Sequence, residues 1–159
     1  MNSKLRTGIG VDAHQFGDSG PLALAGLVWP ETKKLVGHSD GDVVAHAICD
    51  AVLSACQLGD VGSFFGVDKP EMAGASGREM ITQIRDFIAK RSGFVIHNVA
   101  VQIIGNAPNI QSRREEAQIV LTESLGAPVS VSGTTSDAMG FTGRGEGLCA
   151  IATALVQIP

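Results

Sequence analysis

The stretch Gly37 to Asp50, GHSDGDVVAHAICD, constrains the fold more than any other in this 159-residue chain. Ser39 or Asp40 can cap a helix. The residues from Asp42 onward then read as one, with Val43, Val44, Ala47, Ile48, Ala51 and Val52 spread round most of its circumference. A helix apolar on nearly every side has to lie beneath other elements. Yet Asp42, His46 and Asp50 recur every four residues and form one stripe along it. Ionisable groups on a buried helix are costly unless a metal ion, a partner charge or a ligand compensates them. His38 precedes the helix start, where free N–H groups and the helix dipole attract anions. The segment therefore joins a metal-binding imidazole to an anion site.

A second donor pair lies near the N-terminus. Residues 4–13, KLRTGIGVDA, alternate as a strand: Leu5, Thr7, Ile9 and Val11 face one way, and Arg6, Gly8, Gly10, Asp12 and then His14 the other. Asp12 and His14 thus project from one side, beside two glycines that leave room for a ligand. With His46 they make one carboxylate and two imidazoles, the set expected of a catalytic zinc that keeps a fourth position open.

Composition narrows the functional classes. At 44% hydrophobic and 18% charged, the chain reads as one globular domain over residues 1–159. Its net charge of −4, with only 12 Lys and Arg, argues against a nucleic-acid partner, which would demand a basic face. A polyanionic substrate would need metal ions to supply positive charge. Cys49, Cys56 and Cys149 form no C-x-x-C pair and read as small buried hydrophobes in a reducing compartment. No apolar run is long enough for a bilayer and no signal-peptide pattern opens the chain, so a cytoplasmic, membrane-free protein is expected.

The remaining elements follow in order. Leu22–Ala25 and Leu27–Trp29 suggest a hairpin, and the buried helix ends near Gly59. Asp60, Val61 and Gly62 then form a turn whose backbone could approach a ligand, and residues 66–77 read as a mobile surface loop. A second helix runs from about Ser76–Arg78 to Arg91, and 94–104 is a β-branched strand in which His97 is no ligand. Pro108 suits the first position of a third helix, with Arg113, Arg114, Glu115 and Glu116 as its solvated face and Leu125-Gly126 as its stop. Residues 128–136 and 147–158 are strands. The last is apolar on both faces, which suggests packing against another subunit. Between them, Thr134, Thr135, Ser136, Asp137 and four glycines could wrap phosphate oxygens and hold Mg²⁺, although no helix follows to make a phosphate-loop fingerprint. Arg144 and Glu146 can pair with each other or meet a ligand.

With D-x-H, H-S-D-G-D-x-x-x-H, L-G-D-x-G and F-T-G-R-G-E-G in this order, the chain resembles the 2-C-methyl-D-erythritol 2,4-cyclodiphosphate synthase family over nearly its whole length. The resemblance implies closure of 4-diphosphocytidyl-2-C-methyl-D-erythritol 2-phosphate into the cyclic diphosphate with release of CMP. It also implies a homotrimer with active sites between subunits, one zinc per subunit, and Mg²⁺ or Mn²⁺ with substrate. Position by position, it makes Asp12, His14 and His46 the zinc ligands and Asp137 the ligand of the second metal. His38 and Ser39 would grip phosphate; Asp60, Val61, Gly62 and Phe65 would hold methylerythritol. Thr134, Thr135 and Ser136 would meet the cytidylyl phosphates, with His38 and Thr135 stabilising the transition state. Phe141 and Arg144 match further contacts, and Gly105, Asn106, Ala107, Pro108, Asn109, Ile110 and Gln111 match the nucleotide loop. The expected architecture is α+β, a mixed β-sheet packed against three main helices.

Three departures from the family pattern stand out. Asp137 replaces a Glu, Gly66-Val67 replaces Pro-Asp unless Asp68 stands in for the lost carboxylate, and Asn109 replaces a lysine that helps hold the nucleotide. The implied chemistry needs no protein nucleophile, because the substrate's own ionised 2-phosphate attacks, and no Ser-His-Asp or Cys-His set stands out. Two other readings of the residues stay open: a zinc hydrolase using metal-bound hydroxide, and a trimeric binding module in which zinc only fastens the fold.

Overall fold

The computed structural model describes residues 4–66, 70 and 73–159. Its framework is a four-stranded sheet. β1 (Lys4–Gln15) runs antiparallel to β6 (Gly147–Ile158) along its full length, from Lys4 opposite Ile158 to Gln15 opposite Gly147. β6 is antiparallel to β4 (Val95–Ile104), and β4 is parallel to β5 (Val129–Thr134), giving the order β1-β6-β4-β5. One parallel pair in an otherwise antiparallel sheet makes it mixed, as expected. The parallel pair requires a crossover, which α4 (Arg114–Leu125) supplies.

Three main helices cover one face of this sheet: α1 (Val43–Ala55), α3 (Gly77–Ala89) and α4. α1 lies on β1 and β6 and is buried on nearly every side, as its apolar circumference demands. Gly8 and Gly10 allow this. A Cβ on Gly8 would sit 2.1 Å from the Ala51 carbonyl oxygen, and one on Gly10 2.1 Å from that of Ala47. The room those glycines leave is therefore filled by the helix and not by a ligand, which corrects the expectation above. The opposite face of β1, carrying Leu5, Ile9 and Val11, is exposed in the single chain.

The hairpin is β2 (Leu22–Leu24) with β3 (Leu27–Trp29), joined by Ala25 and Gly26 at positive φ, as a tight two-residue turn requires. It is fastened to α1 by Asp42. That residue, not Ser39 or Asp40, is the N-cap: its buried carboxylate accepts the N–H groups of Val44 (3.0 Å) and Ala45 (3.2 Å), and those of Ala25 (3.0 Å) and Gly26 (2.8 Å) from the turn. Burial pushes the Asp42 carboxyl above its ordinary value, and these backbone donors oppose that rise. Asp40 instead accepts from Gly77 N at 2.8 Å, tying the entry of α1 to the start of α3. Ser76 and Glu79 form the capping box of α3.

Other boundaries differ from expectation. Asp60–Gly62 is not a bare turn, because Asp60 caps the short helix α2 (Val61–Phe65) in a reciprocal pair with Ser63. The third helix does not begin at Pro108: Asn109 caps a 3₁₀ turn over Ile110–Arg113, and α4 starts at Arg114. The glycine-rich segment before β6 contains one helical turn, α5 (Gly140–Gly143). Arg113, partly exposed as expected, also reaches back to the hairpin: it donates to Val28 O at 2.6 Å and to Glu116, with its guanidinium 4.8 Å above the Trp29 ring. All three cysteines are free, with Cys49 and Cys56 buried. His97 is exposed. The loop expected over 66–77 falls partly outside the described residues, Val67 and Asp68 included. Among the described residues no helix is long and apolar enough to cross a membrane.

Candidate active site

Because α1 presses onto the glycine positions of β1, the first turns of the helix meet the end of the strand. His46 is thereby carried to Asp12 and His14. The Asp12 Oδ2 atom lies 2.9 Å from His46 Nδ1 and 3.0 Å from His14 Nε2, and the two rings stand edge to face, 5.5 Å apart. Each imidazole is held from behind: His14 Nδ1 bonds to the Val36 carbonyl, and His46 Nε2 lies 2.8 Å from Ser39 Oγ. A carbonyl only accepts, so His14 Nδ1 must donate, and a neutral His14 then keeps its lone pair on Nε2, facing Asp12.

The charges couple as the geometry requires. Burial raises the Asp12 carboxyl, but hydrogen bonds from His14 and His46, reinforced by their charge, win and hold it at about 2. The Asp12 bond pushes His14 above its ordinary 6.5, against the effect of burial. One carboxylate oxygen and two imidazole nitrogens, all within 4.8 Å of one another, with both outer nitrogens engaged, fit a zinc-like divalent cation. Asp42 and Asp50 are not among the three converging donors. Asp42 is the cap, and Asp50 accepts from Val61 N at 2.8 Å, locking α2 to α1. Of the N-terminal N–H groups of α1, those of Val44 and Ala45 are taken by Asp42.

A cavity of about 190 Å³ opens beside the three donors. His38 and Ser39 form one side of it, and Val61, Gly62 and Phe65 of α2 another; Gly66, one of the departures from the family pattern, and Met80, to which sequence reasoning assigned no site role, complete it. The Asp60 side chain is turned to the Ser63 N–H at 2.7 Å and does not line this cavity.

The nucleotide-loop residues gather elsewhere. Gly105, Asn106, Pro108, Asn109, Ile110 and Gln111 line a second cavity, of about 340 Å³, together with Thr134 and Thr135; Ala107 is not on its wall. It lies beyond the carboxyl ends of the parallel strands β4 and β5, where ligands settle in crossover units. Arg114, read from sequence as solvated, is part of this wall. Ser136, Asp137, Phe141 and Arg144 line neither cavity. Ser136 Oγ bonds Thr142 Oγ1 at 2.8 Å, Asp137 is exposed at positive φ, Phe141 is exposed, and Arg144 pairs with Glu146 at 2.7 Å. Within one chain the two cavities share no lining residue.

A mixed sheet covered on one face by three helices, with a carboxylate–imidazole cluster where strand meets helix, defines an α+β protein with a candidate divalent-metal centre. The chain belongs to the YgbB family, whose sequence profile matches residues 5–157. It is 54% identical over 154 residues to the 2-C-methyl-D-erythritol 2,4-cyclodiphosphate synthase of Cutibacterium acnes, covering 96% of this chain and 91% of that one. It is 51% identical over 156 residues to the bifunctional enzyme IspD/IspF of Clavibacter michiganensis; that match covers 98% of this chain and 38% of the relative, so the chain spans well under half of it. The solved CDP complex of IspF from Plasmodium falciparum superposes with a TM-score of 0.82 at 26% identity, over 98% of this chain and 96% of that one.

Proposed function

We propose that the protein is a zinc-dependent 2-C-methyl-D-erythritol 2,4-cyclodiphosphate synthase, a phosphorus–oxygen lyase of isoprenoid precursor synthesis that acts in the cytoplasm as a homotrimer. The observation that carries this reading is the convergence of Asp12, His14 and His46 beside a cavity walled by α2. An oxygen of the substrate's 2-phosphate attacks the β-phosphorus; the bond from that phosphorus to the bridging oxygen breaks, and CMP leaves with the electron pair. Both partners are anionic, so the work is alignment and charge neutralisation rather than proton transfer.

Asp12, His14 and His46 would hold zinc, and Asp137, a lone exposed carboxylate, would hold Mg²⁺ or Mn²⁺ only together with substrate oxygens. When bound, these ions supply positive charge to the phosphates. His38 and Ser39 would orient the 2-phosphate, and the α2 backbone at Val61 and Gly62, with Asp60 and Phe65, would seat the methylerythritol. Gly105 through Gln111 would take the nucleotide, and Thr134, Thr135 and Ser136 its phosphates, with His38 and Thr135 donating to the transition state and Phe141 and Arg144 at the margin. Two features support a site shared between subunits: the nucleotide-loop cavity is separate from the metal centre within one chain, and the outer sheet face is apolar and uncovered.

Incubation with the cytidylyl substrate, followed by phosphorus NMR, tests this. A ring diphosphate plus CMP, lost on chelation, is expected. An acyclic phosphate would identify a hydrolase instead, and unchanged substrate a binding module.

A further inference from the structure

We propose that Arg114 is a specificity-determining nucleotide contact of this chain, its guanidinium turning from the pocket wall to an acceptor oxygen of the bound cytidylyl nucleotide. The inference rests on the function proposed above and concerns a residue to which the family resemblance gives no part.

Asn109, at the position of the family's lysine, is neutral and brings no positive charge to the pocket. Its Oδ1 accepts the Gln111 N–H at 3.1 Å, and its carbonyl accepts from Ser112 Oγ at 2.9 Å, so it holds the 3₁₀ turn. Arg114 stands five residues further on, as the first residue of α4, and among the described residues is the only charged side chain on the wall of the 340 Å³ cavity. In a chain of net charge −4, a nucleotide bound there would meet this cation first.

The state of the guanidinium points the same way. Among the described residues, Arg114 Nε is a buried side-chain nitrogen with no hydrogen-bond partner. Buried polar atoms are nearly always paired, and a charged donor left alone is especially costly. Its neighbour Arg113 shows the contrast: Val28 O and Glu116 engage all three of its nitrogens, and Glu116 is thereby taken as a partner. Arg114 therefore gains a bond by moving onto a ligand. Across the cavity Gly133, Thr134 and Thr135 end β5, and the start of α4 adds its dipole on the arginine's own side. A planar guanidinium suits phosphate oxygens and base carbonyls alike.

Calorimetric titration with CDP and with cytidine, run beside steady-state kinetics, tests this on the intact metal-loaded protein. Arg114→Ala is expected to weaken CDP binding about tenfold and to raise KM more than it lowers kcat, with metal content unchanged. Asn109→Lys in the Arg114→Ala background is expected to restore much of that loss, which a wall residue with a purely structural role would not allow. A loss seen with CDP but not cytidine assigns the contact to phosphate; an equal loss assigns it to the nucleoside. Should Arg114→Ala fold poorly, Arg114→Met keeps the aliphatic stem and answers the same question. Wild-type CDP affinity in a folded Arg114 variant would overturn the inference alone. A wild-type protein that neither binds CDP nor turns over the cytidylyl substrate would overturn the function beneath it.

Discussion

Ser39 Oγ lies 2.8 Å from His46 Nε2, and the opposite nitrogen of the same ring lies 2.9 Å from Asp12 Oδ2. The hydroxyl thus fixes the ring plane and leaves Nδ1 for a metal. Outer partners of this kind carry part of the affinity of a metal site, so Ser39→Ala is expected to weaken zinc binding about tenfold. Asp12→Ala and His46→Ala remove donors outright and are expected to abolish stoichiometric zinc and CMP release together. Competition titration against a chromophoric chelator reads the first effect, and metal analysis of purified protein the second. A Ser39→Ala protein with wild-type zinc affinity would show that the ring needs no such support.

His14 carries the pH dependence. Its pKa is raised above 6.5 by Asp12, so the proton competes with a cation for Nε2 at a higher pH than for a free imidazole. Zinc affinity is therefore full above that raised value and falls as pH drops through it. The metal-free protein behaves in the opposite sense. A histidine with a raised folded-state pKa contributes stability that is present below the unfolded value and is lost as pH rises through the folded one. Asp12, held at about 2, stays ionised throughout this range. Melting temperatures with and without chelator should diverge as pH rises through that window; parallel profiles would contradict this assignment.

The three donors of the candidate metal centre were legible because their placement on each element depends on rigid local geometry: alternation puts Asp12 and His14 on one side of β1, and a four-residue step carries the acidic stripe through His46. The same spacing could not separate Asp42 from that stripe, since a cap and a first-turn residue share the period and only the docked hairpin reveals which it is. At α4 the Pro108 signal competed with Asn109, whose side chain closes a 3₁₀ turn first. That shifts the helix start by several residues and turns Arg114 towards the cavity wall, while Arg113 reaches Val28 and Trp29 from the surface. Alternation also shows that the faces of β1 differ without showing what covers each. The glycines that read as an opening are closed by α1, which is distant from them in the chain, a contact that neither spacing nor composition reveals.

Gly10→Ala tests that packing. The added methyl would meet the Ala47 carbonyl oxygen at 2.1 Å and the Ala51 nitrogen at 2.6 Å, both backbone atoms of a buried helix. Overpacking of this kind costs about 1–3 kcal/mol, and α1 would have to shift away from Asp12. A lowered melting temperature together with weakened zinc binding is expected, whereas Gly74→Ala, with open space around it but a positive φ, should leave zinc binding intact.

Asp42→Ala is expected to be among the more damaging single changes outside the metal ligands. It strips the acceptor from four backbone N–H groups, two opening α1 and two in the β2–β3 turn. Buried donors left unpaired cost about 1–3 kcal/mol each before relaxation, so a loss of at least 3 kcal/mol follows. Asp42→Asn, which keeps an acceptor oxygen, should recover part of it. Chemical denaturation at constant zinc occupancy measures both, and near-identical midpoints for wild type and Asp42→Ala would sink the capping account.

The uncovered sheet face gives the last prediction. Leu5, Ile9 and Val11 are 64%, 60% and 55% exposed on β1, with Ile151 of β6 directly opposite Val11. Fully burying side chains of this size stabilises by about 1.5–3 kcal/mol each, so a face that repeats in every copy is a strong drive to self-association. The proposed trimer would sediment at three times the chain mass of 16.4 kDa. Ile9→Glu would set a carboxylate in each copy of that interface and is expected to shift the protein towards single chains. Those chains should still bind zinc, because Asp12, His14 and His46 all belong to one chain, yet lose turnover because the nucleotide loop and metal centre no longer meet. A single-chain wild type with full activity would exclude the shared site, and an Ile9→Glu protein of undiminished mass would move the interface to another face.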